Sequence, residues 1–303
     1  MEPWRSARAV RFIVAGGRGF IGRALVRELC ALGHDCSILT RNPRRAARPS
    51  LPEKITLLSW DEAWPEAEVV INLAGESIVG WWTKRKRAAI LRSRITTTQW
   101  LIEQMQRNPP RVFLSASAVG FYGHRPDEIL TEESPPDPRN GFRSMVCRAW
   151  ENEANRARDF GVRTLTLRFG NVIDSSGGYL ARLQAAYRFG LCLVPGDPNS
   201  MISWIGLPDT IRLTVFAALH DSLHGALNVT ASNPVSQRKL CMTLAEKCHR
   251  RMIGQIPSWA LHLALGEFST AVLDSQNVKP IKALQHGFQF LHSDFEDCLA
   301  SLT

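Results

Sequence analysis

Val10-Arg11-Phe12-Ile13-Val14-Ala15 runs directly into Gly16-Gly17-Arg18-Gly19-Phe20-Ile21-Gly22. The first six residues are an apolar run of buried-strand type, broken only by Arg11. After the glycines, Ile21, Leu25, Val26 and Leu29 recur at helical spacing. The glycines therefore stand where a strand turns into a helix. Gly16 permits a tight turn, Gly19 lets an anion approach the backbone, and Gly22 lets helix and strand pack closely. The helix start adds free N–H groups and the positive end of a dipole. Together these features predict a dinucleotide-binding turn with the spacing G-x-x-G-x-x-G.

Working outward, Cys36–Thr40 reads as the second strand. Its end lies roughly 20 residues past the glycines, where an acidic side chain would meet the ribose of NAD. The chain has Thr40-Arg41 there instead. A guanidinium suits a phosphate and the missing carboxylate removes repulsion, so NADP(H) is expected over NAD(H), with Arg41 on the 2′-phosphate. Arg44 or Arg45 is a candidate assistant, and Arg18 a further phosphate contact whose direction the sequence leaves open. A solvent-exposed Arg41 is the alternative reading.

Further strands are expected at 55–58, 69–73 (VVINL), 112–116 (VFLSA) and 163–168 (RTLTLR), alternating with helices over 82–105 and 144–159. Residues 124–141, rich in Pro and acidic side chains, read as a surface loop. The alternation predicts an α/β fold, a Rossmann doubly wound parallel sheet with a small C-terminal α+β lobe for the substrate. Residues 1–174 are expected to form the NADP-binding domain, with further elements of it near 202–220, and 175–303 mostly the C-terminal lobe. Within the lobe, 226–229 reads as a short strand.

The chain has 303 residues, 45% of them hydrophobic, ample for a sizeable core. No apolar run reaches the ~18 residues of a membrane span, and no apolar signal-peptide core follows the basic start. Seven scattered cysteines without a C-x-x-C pair point to reduced thiols in the cytoplasm rather than zinc or a disulfide framework, so no metal site is expected. The net charge of +9 admits phosphorylated ligands, but no nucleic-acid-binding signature accompanies it. The expected partner is a small-molecule substrate, with neither nucleic acid nor membrane; a homodimer is left open.

Gly16–Gly22, Leu73-Ala74-Gly75-Glu76-Ser77, Ser115–Gly123 and Arg168-x-x-Asn171 together resemble the extended short-chain dehydrogenases/reductases, the epimerase/dehydratase group. Trp82-Thr83-x-x-Lys86, Ser93-Arg94, Trp150-Glu151, Ser203-Trp204-Ile205, Leu265-Gly266-Glu267, Ser275-Gln276-x-Val278-x-Pro280 and Gly287-Phe288-x-Phe290 are similar to the narrower 39U type. The resemblance implies a cofactor set of Gly16, Gly17, Arg18, Gly19, Phe20, Ile21, Gly22, Arg41, Leu73, Ala74, Gly75, Glu76, Arg94 and Ser115. It also implies a Tyr and a Lys four residues apart on the helix before Glu151. Those positions hold Arg143 and Cys147. An arginine is a poor acid/base and a cysteine has no positive charge to offer. Ser117 and Tyr122 remain as catalytic candidates, with a packed aromatic as the alternative for Tyr122. Lys86 and Asn171 are candidates for the substrate, against surface charge and a turn-stabilising side chain. Arg94 is also a candidate for an anionic substrate. Arg168 reads as a structural anchor. Gly206 stands where many 39U-type members carry His. The function implied is an NADP(H)-dependent oxidoreductase or epimerase-like enzyme without the usual dyad; a non-catalytic redox-sensing or regulatory protein is the alternative.

Overall fold

The computed structural model describes residues 8–41, 52, 55–62 and 64–302. Seven parallel strands form the central sheet: β1 (Arg11–Ala15), β2 (Asp35–Thr40), β3 (Thr56–Ser59), β4 (Val69–Asn72), β5 (Val112–Ala118), β6 (Arg163–Phe169) and β7 (Gly225–Val229). Their order is β7-β6-β5-β4-β1-β2-β3. Chain direction across the sheet reverses between β1 and β4, and at such a switch point a crevice opens outside the carboxyl ends of the strands.

Consecutive residues of the central strands are buried on both sides because both faces of the sheet are covered. On one face Val14, Ile71, Leu114 and Leu167 pack with Leu25, Val26 and Leu29 of helix α1 (Phe20–Ala31). Ile13, Val70 and Phe113 face the other way, toward Leu101, Ile102 and Met105 of helix α2 (Lys84–Arg107) and Ala154 of helix α3 (Phe142–Asn155). Thr83 caps α2: its side chain accepts from Lys86 N at 3.2 Å, satisfying one of the free first-turn donors.

A second core joins Leu180 and Tyr187 of α4 (Gly178–Arg188), Trp204, Leu240 and Leu244 of α6 (Gln237–Lys247), and Phe295 and Leu299. Helix α5 (Leu207–Leu219) belongs instead with the sheet, its Leu213 and Val215 joining the α1 core. Strand β7, expected within the C-terminal lobe, is an edge of the main sheet: it pairs with β6 from Gly225–Leu165 to Val229–Phe169. The sheet thus recruits chain from well past residue 174.

Residues 124–141 also differ from expectation. Arg125–Leu130 is a strand, pairing in parallel with Gln276–Val278. Its middle residues are exposed and it begins Arg-Pro, so neither alternation nor β-propensity marked it. Gln276 makes the pairing firm: its Nε2 donates to Val119 O at 2.8 Å and Gly123 O at 2.9 Å.

Candidate functional site

A cavity of about 520 Å³ runs from the glycine turn, past Leu73 and Gly75–Ile78, to Ala116–Ala118 and the cleft face of α3. The turn that starts it is dictated by contact. Gly16 has φ +80°, and a Cβ there would lie 2.7 Å from the Leu73 carbonyl carbon. At Gly22 a Cβ would sit 2.3 Å from Gly16 O, so helix and turn touch backbone to backbone. At Gly17 it would press on the Ile38 side chain at 2.9 Å. Gly19 differs: its Cβ would meet only Gly16 O, at 3.2 Å. Gly19 is also the N-cap of α1, which has no side-chain cap and no acidic residue in its first turn. The first-turn N–H groups therefore lack intrahelical acceptors, and Gly19, Phe20, Ile21 and Gly22 line the cavity. An open approach over uncapped donors fits a pyrophosphate.

Arg18 and Arg41 are exposed, Arg41 directly after β2. Arg44 and Arg45 lie outside the described residues. Glu76 accepts a hydrogen bond from Lys86 Nζ at 2.7 Å, and Lys86, Arg41 and Arg94 hold its carboxyl below the usual carboxylate range. Lys86 is thus spent on Glu76 and stands outside the cavity wall. Arg94 is part of that wall. Its Nη1 donates to Glu76 O at 3.1 Å and Ile90 O at 3.0 Å, and its guanidinium carbon lies 5.1 Å from the Trp150 ring centre. Burial lowers its pKa from the ordinary arginine value. Ala74 N is held by Asn72 Oδ1 at 3.1 Å, which shapes the chain leaving β4.

Ser115 and Ser117 share the strand face toward α3 but differ in position. Ser115 is fully buried, away from the cavity wall, and its hydroxyl has no partner among the described residues. Ser117, two residues nearer the strand end, lines the cavity and donates to Glu151 Oε1 at 2.6 Å. Glu151 accepts from Arg168 Nε and Nη2, both at 2.9 Å. The Arg168 guanidinium carbon stands 3.6 Å from the Phe121 ring centre, and Nη1 donates to the Tyr122 hydroxyl at 2.9 Å.

Tyr122, expected as a catalytic candidate, is placed by the structure away from the cavity. It is fully buried and donates to Asn228 Oδ1 at 2.7 Å. Burial outweighs Arg168 and pushes its phenol up to about 12. Asn171, expected at the substrate, donates from Nδ2 to Ser203 O at 3.2 Å; the neighbouring wall residue is Phe169.

On α3, Arg143 and Cys147 both line the cavity. Arg143 Nη1 donates to Thr270 O at 2.8 Å and Asp274 Oδ2 at 2.9 Å. The Cys147 thiol points to Ala118 O at 3.7 Å, and burial pushes it up. Ile78, Trp82, Ile90, Phe142 and Val146 complete an apolar wall that the sequence reading missed. Trp82 carried a partial signal as the first apolar residue before α2.

A Rossmann sheet with an anion-ready glycine turn at its switch point defines a nucleotide-binding α/β protein. The profile of the NAD dependent epimerase/dehydratase family matches residues 12–229, and a domain of unknown function, DUF1731, matches 256–302. The epimerase family protein YfhF of Bacillus subtilis is 34% identical, over 95% of this chain and 96% of its own. The chloroplastic SDR39U1 homolog of Arabidopsis thaliana is 32% identical, over 95% of this chain and 85% of its own. The crystal structure of human epimerase family protein SDR39U1 with NADPH superposes with a TM-score of 0.86 at 26% identity, covering 96% of this chain and 98% of that one. The chain belongs to the NAD dependent epimerase/dehydratase family, as an extended short-chain dehydrogenase/reductase of the 39U type.

Proposed function

We propose that the protein is an NADP(H)-dependent oxidoreductase or epimerase-like enzyme for a small substrate, working without the Tyr-x-x-x-Lys pair. The observation that carries this reading is the single cavity joining the uncapped helix start to Ser117 and the apolar wall of α3. NADPH in the human relative supports the choice of cofactor, as does Arg41 in place of an acidic residue. The glycine turn and the first turn of α1 would hold the pyrophosphate, Arg41 the 2′-phosphate, and Leu73–Glu76 and Arg94 the nicotinamide half. A bound nicotinamide would supply hydride exchange. The chain's own part is to exclude water with Trp82, Phe142 and Val146, and to present Ser117 to the reacting group. Seven cysteines without a disulfide support a reducing compartment such as the cytoplasm.

The test is fluorescence titration with NADPH and NADH. NADPH should bind more tightly, and Arg41→Glu should weaken NADPH selectively. A preference for NADH, or equal loss of both, overturns the cofactor assignment.

One observation favours a second reading, a non-catalytic NADP(H)-binding sensor or regulator. Arg143 and Cys147 occupy the places of the missing pair, and both are committed to structural partners, Asp274 with Thr270 and Ala118. A screen of carbonyl and nucleotide-sugar substrates separates the two: hydride transfer supports the enzyme, and silence with cofactor bound supports the sensor.

A further inference from the structure

A serine hydroxyl has one proton to give and two lone pairs to receive. In Ser117 that proton goes to Glu151 Oε1 at 2.6 Å, within the range of charge-assisted O–H···O bonds. Glu151 cannot return the favour. Its two oxygens receive the Arg168 fork at 2.9 Å each, and a carboxylate in such a pair accepts only. The whole arrangement is buried: Ser117 is 3% exposed, Glu151 7% and Arg168 5%. The Cys147 thiol stays within hydrogen-bond reach of Ser117 and gives its own weak proton to Ala118 O, so it asks for no hydrogen from the serine. On the side that faces the cavity, Ser117 therefore has lone pairs and no hydrogen.

We infer that Ser117, fixed by Glu151, is a hydrogen-bond acceptor toward the cavity, and that the substrate group lodged against it carries a hydrogen: the site takes an apolar alcohol in preference to the corresponding ketone. A ketone oxygen at this position would face a lone pair. To be bound it must draw the hydroxyl proton off Glu151 and forfeit a charge-assisted bond. Hydrogen bonds of that kind are worth enough to change affinity roughly tenfold or more. The remaining wall, Trp82, Ile90, Phe142 and Val146, suits an alicyclic or aromatic body. Glu151 touches neither cofactor nor substrate and acts as a positioning residue. The inference rests on the reading of this cavity as a cofactor and substrate site.

The experiment uses the full chain loaded with cofactor, and matched pairs: cyclohexanol with cyclohexanone, and 1-phenylethanol with acetophenone. Alcohols are measured with NADPH and ketones with NADP⁺, combinations in which no hydride can move, and affinity is read by ligand-observed NMR. The same ratio in Ser117→Ala cancels the effect of cofactor state. This variant leaves the Glu151–Arg168 pair intact and removes only a hydroxyl. The alcohol-to-ketone affinity ratio should fall about tenfold in Ser117→Ala. A ratio that does not move, a ketone preference lost with the hydroxyl, or no binding of any probe while cofactor is bound overturns the inference alone. Failure of cofactor to bind overturns the underlying reading as well. Glu151→Ala, checked for folding by circular dichroism, should shift the ratio toward the ketone, because the hydroxyl proton is then free to turn outward.

Discussion

Arg143 and Asp274 meet at 2.9 Å, Nη1 to Oδ2, with each side chain only 18% exposed. The pair fastens the start of α3 to the chain just after the helical turn Thr270–Leu273, and Arg143 adds a second bond to Thr270 O. It is one of the contacts by which the wall of the cavity and the C-terminal region hold each other in place, beside the packing of Trp82 on Phe268.

Removing one partner should therefore cost more than a surface pair would. Arg143→Ala is expected to lower stability by about 1–3 kcal/mol in urea denaturation. Burial already raises the Asp274 carboxyl above its ordinary value, and Arg143 opposes that rise. Without Arg143 the rise grows. A carboxyl raised in the folded state loses stability as pH climbs above the ordinary carboxylate range, since the folded form then binds more protons than the unfolded. The deficit of Arg143→Ala should thus widen from acid toward neutral pH; a deficit that narrows contradicts the assignment.

Two glycines of the turn should fail in different ways. Gly22→Ala places a methyl 2.3 Å from Gly16 O and 2.7 Å from Gly17 Cα, so the turn must open and both stability and NADPH binding should fall. Gly19→Ala meets a single backbone oxygen at 3.2 Å, and Gly19 already has φ −73°, which alanine accepts. Stability should stay within about 0.5 kcal/mol, as for surface changes, while NADPH affinity drops. Calorimetry paired with cofactor titration reads both; equal behaviour of the two variants would show that the approach over Gly19 is not where the anion lies.

The Tyr122 phenol should ionise late. Alkaline difference spectra between the protein and Tyr122→Phe should show one group titrating near about 12, well above the ordinary value of 10.0. The sign for stability follows. The folded state holds this proton longer, so the contribution is present below pH 10 and is lost as pH rises through about 12, to the extent of about 3 kcal/mol. A phenol that titrates with free tyrosine would place the ring in water.

The Glu151–Arg168 pair should respond to single truncation as a buried pair does. Arg168→Met leaves Glu151 charged and without its fork, and should cost about 3–5 kcal/mol in thermal or urea melts. A loss below about 1 kcal/mol would mean that the carboxylate has found water.

The sheet was legible because its evidence is local. Each strand carries at least two adjacent or alternating apolar residues, and the glycines between β1 and α1 sit in immediate sequence context. Ser117 was legible for the same reason, one step from the end of an obvious strand. Its partner was not: nothing near Ser117 announces Glu151, 34 positions on. For Tyr122 the sequence left a catalytic phenol and a packed aromatic both open, since the partners of its hydroxyl, Arg168 and Asn228, stand 46 and 106 positions away. Lys86 looked free for an anion because the carboxylate that takes it, Glu76, lies across a loop. The strand Arg125–Leu130 was invisible because its ladder partner among the described residues comes from Gln276–Val278.

That last ladder has a consequence for how the chain is made. Gln276 supplies the donors for Val119 O and Gly123 O across 157 and 153 positions, and Lys279 O takes the Asn228 side-chain amide. A nascent chain that has already laid down the glycine turn and most of the sheet still has these buried groups waiting. The nucleotide-binding half thus ripens only when a much later stretch of polypeptide arrives to close its seam.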